Sequence, residues 1–95
     1  MKYFVKIVVV VFLLLGSVTL RAQYDIEQFF FRGRQALVDG KYSRAIDNFN
    51  VLIRLDDSLY EAYFFRGIAK YNLGDFVGAE LDFNTALQLN PIYTP

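Results

Sequence analysis

Neither cysteine nor histidine occurs among the 95 residues. Without cysteine there is no disulfide, no thiolate metal site, no thiol nucleophile and no cysteine-attached lipid anchor. Without histidine the commonest general base and the commonest transition-metal ligand are missing. A basic excess is lacking as well. Lys2, Lys6 and Arg21 lie in the first 22 residues and all ten acids lie beyond them, so residues 23–95 carry seven basic and ten acidic residues, a net charge of −3. Phosphate-driven binding needs the opposite balance, which argues against a nucleic-acid partner. No glycine-rich phosphate loop is present, since Gly40 and Gly74 stand alone. Ser43 and Ser58 have no base to activate them. Asp56-Asp57 reads as a solvated pair in a turn, because a carboxylate dyad requires burial to separate its two pKa values. Lys41 and Lys70 read as exposed. The expectation is a chain that is not an enzyme and takes no cofactor or metal.

Apolar residues are distributed unevenly. Residues 1–22 open with two lysines, continue through the unbroken run Ile7–Leu15 and soften at Gly16, Ser17 and Thr19 before Leu20-Arg21-Ala22. A positive start, an apolar centre and a small residue at a cut site describe a secretory signal peptide, with cleavage expected after Ala22. Counted to Leu20 the apolar stretch is 14 residues, short of the roughly 20 that a spanning helix needs. The alternative is an uncleaved membrane anchor, which would keep Met1 on the mature protein.

Shifted by 34 positions, the remainder superposes on itself. Glu27, Phe30, Phe31, Arg32 and Gly33 fall on Glu61, Phe64, Phe65, Arg66 and Gly67. Gly40 falls on Gly74, Ala45 on Ala79, Phe49-Asn50 on Phe83-Asn84, and Leu55 on Leu89. A fixed period of this size means stacked supersecondary units. Each unit reads as a helix pair, with helices near 25–38, 42–55, 59–73 and 76–89. Ser58 and Glu61 have the spacing of a capping box, Asp25 and Gln28 a looser version of one. Gly40 and Gly74 supply the turns, Asp75 caps the helix after it, and Pro91 ends that helix. Gly33 and Gly67 lie inside helices, where glycine costs about 1 kcal/mol against alanine. That cost is tolerated where a missing side chain lets another helix approach, so these glycines, with Ala45 and Ala79, predict notches that receive Phe29, Tyr63, Phe49 and Phe83. Arg32 and Arg66 are each expected to bridge within their own hairpin, Arg66 to Asp82 and Arg32 to Asp47 or Asn48.

The order Glu61-Ala62-Tyr63, Arg66-Gly67, Leu73-Gly74-Asp75-Phe76, Ala79, Asp82-Phe83 and Ala86 to Pro91 resembles a tetratricopeptide repeat. The first copy resembles it less fully, with Leu52 at a position usually small and Asp57 in place of the closing proline. The resemblance implies an all-α fold: two stacked helix-turn-helix repeats of 34 residues after an N-terminal signal segment. On that basis residues 1–22 are the signal peptide and 23–95 the domain, with repeats at about 26–59 and 60–93. It also implies that the first helices line a concave groove for protein or peptide recognition. The corresponding positions are Glu27, Phe30, Arg34, Leu37, Glu61, Phe64, Ile68 and Tyr71. Such a surface suits a peptide with hydrophobic anchors. Some family members grip a terminal carboxylate with paired lysine and asparagine, but Phe30 and Phe64 stand at those positions, so that activity is not carried over.

The reading that follows is an exported scaffold that binds a protein or peptide partner in the cell envelope, in a bacterial periplasm. The alternative is a self-associating unit, or the front of a longer array, since two repeats fall short of the three that usually stabilise a solenoid. Phe76, Leu81 and Leu87 mark an exposed final face. Membrane contact is expected only through an uncleaved leader.

Overall fold

Four helices follow one another in the computed structural model, which describes residues 2–92: α1 (Lys2–Val38), α2 (Tyr42–Leu55), α3 (Tyr60–Asn72) and α4 (Phe76–Leu89). No strand occurs among the described residues. Met1, at the head of the expected leader, and residues 93–95, at the end of the expected domain, lie outside them. Three of the four helices fall within a residue of their expected limits. The fourth does not. α1 runs without a break from the leader through Asp25, so no helix begins at 25 and the Asp25–Gln28 cap does not form. The physical reason is that residues 16–24 contain a single glycine and no proline, so nothing there forbids the i to i−4 ladder. At 1.5 Å per residue, α1 is about 55 Å long, and it sets the 63 Å long axis of the molecule.

The helix ends follow local chemistry. Gly40 and Gly74 have φ of +72° and +85°, a region that only glycine enters freely. The Gly40 and Lys41 N–H groups donate to the Leu37 and Ala36 carbonyls, and the Gly74 and Asp75 N–H groups donate to Tyr71 and Lys70. Both are Schellman endings of the same form. Asp75 accepts from the Gly78 N–H at 2.9 Å and caps α4. The expected Ser58–Glu61 box is absent. Leu59 occupies the N-cap of α3 with no side-chain bond, and Ser58 instead turns back to Asp56, donating from its backbone N–H at 3.0 Å and its hydroxyl at 2.6 Å. An Asx-type turn has outcompeted the cap for the same serine.

The helices pack as two hairpins. α1 lies on α2, α3 on α4, and α2 joins the pairs by lying against α3. The core is built of Ala36, Ala45, Phe49, Leu52, Ala62 and Ala69, with Ile26, Phe29, Phe30, Ile53 and Phe65 among the side chains packed around it. Leu52, at a position expected to be small, is fully buried and fills this core with Phe49. The glycine notches are occupied. A methyl group at Gly33 would lie 2.7 Å from the Phe49 ring, and one at Gly67 would lie 2.7 Å from the Phe83 ring. Each knob comes from the second helix of a hairpin and enters the first. Ala45 and Ala79 are buried beside them.

Candidate functional site

α1 and α3, the first helices of their hairpins, touch directly, and the eight residues expected to line a groove lie on these two helices. Glu27 and Arg34 are exposed on α1, Glu27 accepting from Gln23 at 3.3 Å. Arg34 lies over the Phe30 ring, 5.8 Å from its centre. Phe30 is half-buried, meets Phe49 edge-on at 6.3 Å and, like Leu37, packs against the core. On α3, Glu61 and Ile68 are half-buried. Phe64, also half-buried, lies 5.6 Å from both Phe65 and Phe83. Tyr71 is the most open aromatic of the set, at 57% exposure, and it meets Phe76 edge-on at 5.1 Å. The structure therefore divides the set. Phe30, Leu37 and Phe64 spend much of their surface on packing, while Glu27, Arg34 and Tyr71 are presented to solvent.

A polar cluster holds α3 in place. Arg66 grips Asp82 with two bonds, Nε to Oδ2 at 2.8 Å and Nη2 to Oδ1 at 2.7 Å. Its third edge donates from Nη1 to Asn50 Oδ1 at 2.9 Å. The guanidinium also lies 5.5 Å from the centre of the Tyr63 ring. One side chain thus ties α3 to α4 within its hairpin and to α2 in the preceding one. Asp82 is buried, and Lys70 Nζ lies 3.0 Å from its Oδ2, so this carboxylate has two cationic partners. The hydrogen bonds that Arg66 donates to Asp82 raise its pKa above the ordinary value, against a smaller opposing effect of burial. A fork of this kind is the strong form of the ion pair.

Two expectations change here. Lys70 is half-buried and paired rather than exposed, because the i+4 spacing from Arg66 places it over the same carboxylate. Arg32 makes no bridge in the first hairpin. It stacks on Phe29 at 5.4 Å, and Asn48, at the position equivalent to Asp82, donates instead to the Arg44 carbonyl. A neutral amide offers no charge to hold the guanidinium. Asn50 went unrecognised as a contact, although its recurrence as Asn84 was the signal that could have found it.

Asp56, expected in a solvated turn, has its pKa held below the ordinary 3.8 by the Ser58 hydroxyl and, second, by the Ser58 N–H. These bonds belong to the turn and form no dyad. Among the described residues no group of three or more acidic side chains is placed to hold a metal ion. α1 has the length and composition to cross a membrane, its apolar part is wholly unburied, and it lies near the N-terminus.

The family model for the tetratricopeptide repeat matches residues 60–93. No curated protein matches the chain.

Proposed function

From the match of residues 60–93 to the tetratricopeptide-repeat family model, we propose that this protein is a non-enzymatic scaffold binding a protein or peptide along a face shared by α1 and α3. The observation that carries the reading is the pair of filled notches. Phe49 in Gly33 and Phe83 in Gly67 lock each hairpin in the same way, and α2 joins the two hairpins by lying against α3. On that face Glu27, Arg34 and Tyr71 supply exposed polar and aromatic contacts beside the half-buried Phe30, Leu37, Glu61, Phe64 and Ile68. An aromatic with an adjacent arginine is the composition favoured at binding hot spots. The reading assigns the partner to the cell envelope, in a bacterial periplasm, and the zoned leader and the unburied apolar stretch of α1 support it as features of export or membrane anchoring.

Site-specific photo-crosslinking tests this assignment. A photoreactive residue at Arg34 or Tyr71 should capture a discrete partner in cell-envelope fractions, while one at Glu80, exposed on α4, should not. Equal capture from Glu80, or none from either groove position, would remove the groove from consideration. Tyr71→Ala should then weaken binding of the captured partner by about tenfold, the scale of one lost hot-spot contact, with the thermal melt unchanged.

A further inference from the structure

The contact between the two hairpins supplies a template for a contact between two molecules. In that internal junction Phe65 stacks on Phe49, with ring centres 5.8 Å apart and planes 20° from parallel. Beside the stack Arg66 donates to Asn50, and Ile53 packs against the same core. Counterparts of these junction residues recur at the two ends of the molecule. Phe31 and Arg32 repeat Phe65 and Arg66 on α1; Phe83, Asn84 and Leu87 repeat Phe49, Asn50 and Ile53 on α4.

The ends are open in complementary ways. At the α1–α2 end, Phe31 is 61% exposed, and it borders an open cavity of about 450 Å³ that is also lined by Arg32, Ala36, Lys41, Arg44 and Asn48. Arg32 has no hydrogen bond or ion pair among the described residues, because the first hairpin carries Asn48 where the second carries Asp82. At the α4 end, Phe83 is seated in the Gly67 notch yet remains half-buried, whereas Phe49, seated in the same way and covered by Phe65, is fully buried. Asn84 is exposed, and Leu87 is 41% exposed where its counterpart Ile53 is packed. One end is missing a phenylalanine, an asparagine and an aliphatic side chain, and the other end presents those three.

We propose that copies of this chain join head to tail, with Phe83, Asn84 and Leu87 of one copy entering the α1–α2 cavity of the next, where Phe31 stacks on Phe83 and Arg32 donates to Asn84. Such a junction repeats the internal α2–α3 contact and continues the solenoid from one molecule into another. It is heterologous, so each copy keeps one free head and one free tail and growth is open-ended unless the rotation closes a ring.

The test uses the full chain in density-matched detergent, with sedimentation equilibrium as the readout. Phe31→Lys disables the head and Asn84→Lys disables the tail, both at exposed positions, so far-UV circular dichroism should match the wild type. The wild type should gain mass with concentration, and each variant alone should stay a single chain across the range in which the wild type associates, because a lysine charge buried in the junction leaves its defective end unable to pair. Mixed together, the two variants should recover association but stop at two chains, because only the intact tail of one and the intact head of the other can meet. Association through the apolar leader would be indifferent to both substitutions. A wild type that stays a single chain at every concentration, variants that associate as it does, or a mixture no heavier than its components would each overturn the head-to-tail junction.

Discussion

Arg66 and Arg32 occupy the same register one repeat apart and have opposite surroundings. Arg66 has three neighbours on three helices, Asp82, Asn50 and Tyr63, whereas Arg32 has only the Phe29 ring. The difference traces to a single pair of residues, Asp82 against Asn48. Removing Arg66 leaves a carboxylate whose side chain is 6% exposed with only Lys70 to balance it. Breaking a buried pair from one side costs about 3–5 kcal/mol, and the remaining lysine puts this case near the lower figure. Arg66→Ala should therefore lower the melting temperature by roughly 10–20 °C for a domain of this size. Arg32→Ala, at a surface position, should stay within about 0.5 kcal/mol of the wild type. Thermal melts of both variants at high dilution check the pair; comparable losses would mean that the charge at position 82 does not set the asymmetry.

Between elements, the deciding contacts are the two notches. A methyl at Gly67 would have to displace the Phe83 ring from 2.7 Å, and overpacking of this kind costs about 1–3 kcal/mol. Helix propensity pulls the other way by about 1 kcal/mol, so strain wins by a narrow margin for alanine and decisively for anything larger. Gly67→Ala should lose about 1 kcal/mol, and Gly67→Leu should abolish the cooperative melt. Gly16, with nothing within 4 Å of its absent side chain, is the control: Gly16→Ala, free of strain and favoured by helix propensity, should not lower the melt. These notches were legible in the sequence because the same cost is paid at the same register in both copies. The turns at Gly40 and Gly74 and the Asp75 cap were legible for the equally local reason that few residue types perform those tasks. The start of the first helix and the Ser58 cap were not. Whether a helix stops at residue 25 depends on the absence of a breaker upstream, and whether Ser58 caps depends on its competition with Asp56 two residues before. The positions proposed for a groove follow from register alone, but which of them are packed, as Phe30 and Leu37 are, and which open, as Arg34 and Tyr71 are, depends on how closely the hairpins approach.

For the whole molecule, α1 joins two regions that share a helix and little else. Its buried residues are Gly33 and Ala36 alone, and residues 2–22 are exposed apart from Val8. A chain beginning at Gln23 should consequently keep its melting temperature within about 2–4 °C of the intact protein, since only surface is removed. Differential scanning calorimetry of the shortened and full chains in one detergent makes the comparison. A larger drop would mean that the leader contributes to the fold beyond its own turns.

The unbroken backbone through residues 16–26 also makes α1 a stiff shaft. Whatever grips residues 2–22 fixes the compass bearing of the two hairpins as well as their height, with no swivel between them. One alanine inserted near Gln23 would turn the hairpins by about 100° and raise them by about 1.5 Å, while every notch, fork and turn stayed as it is. Aim and stability are thereby set by separate stretches of the same helix.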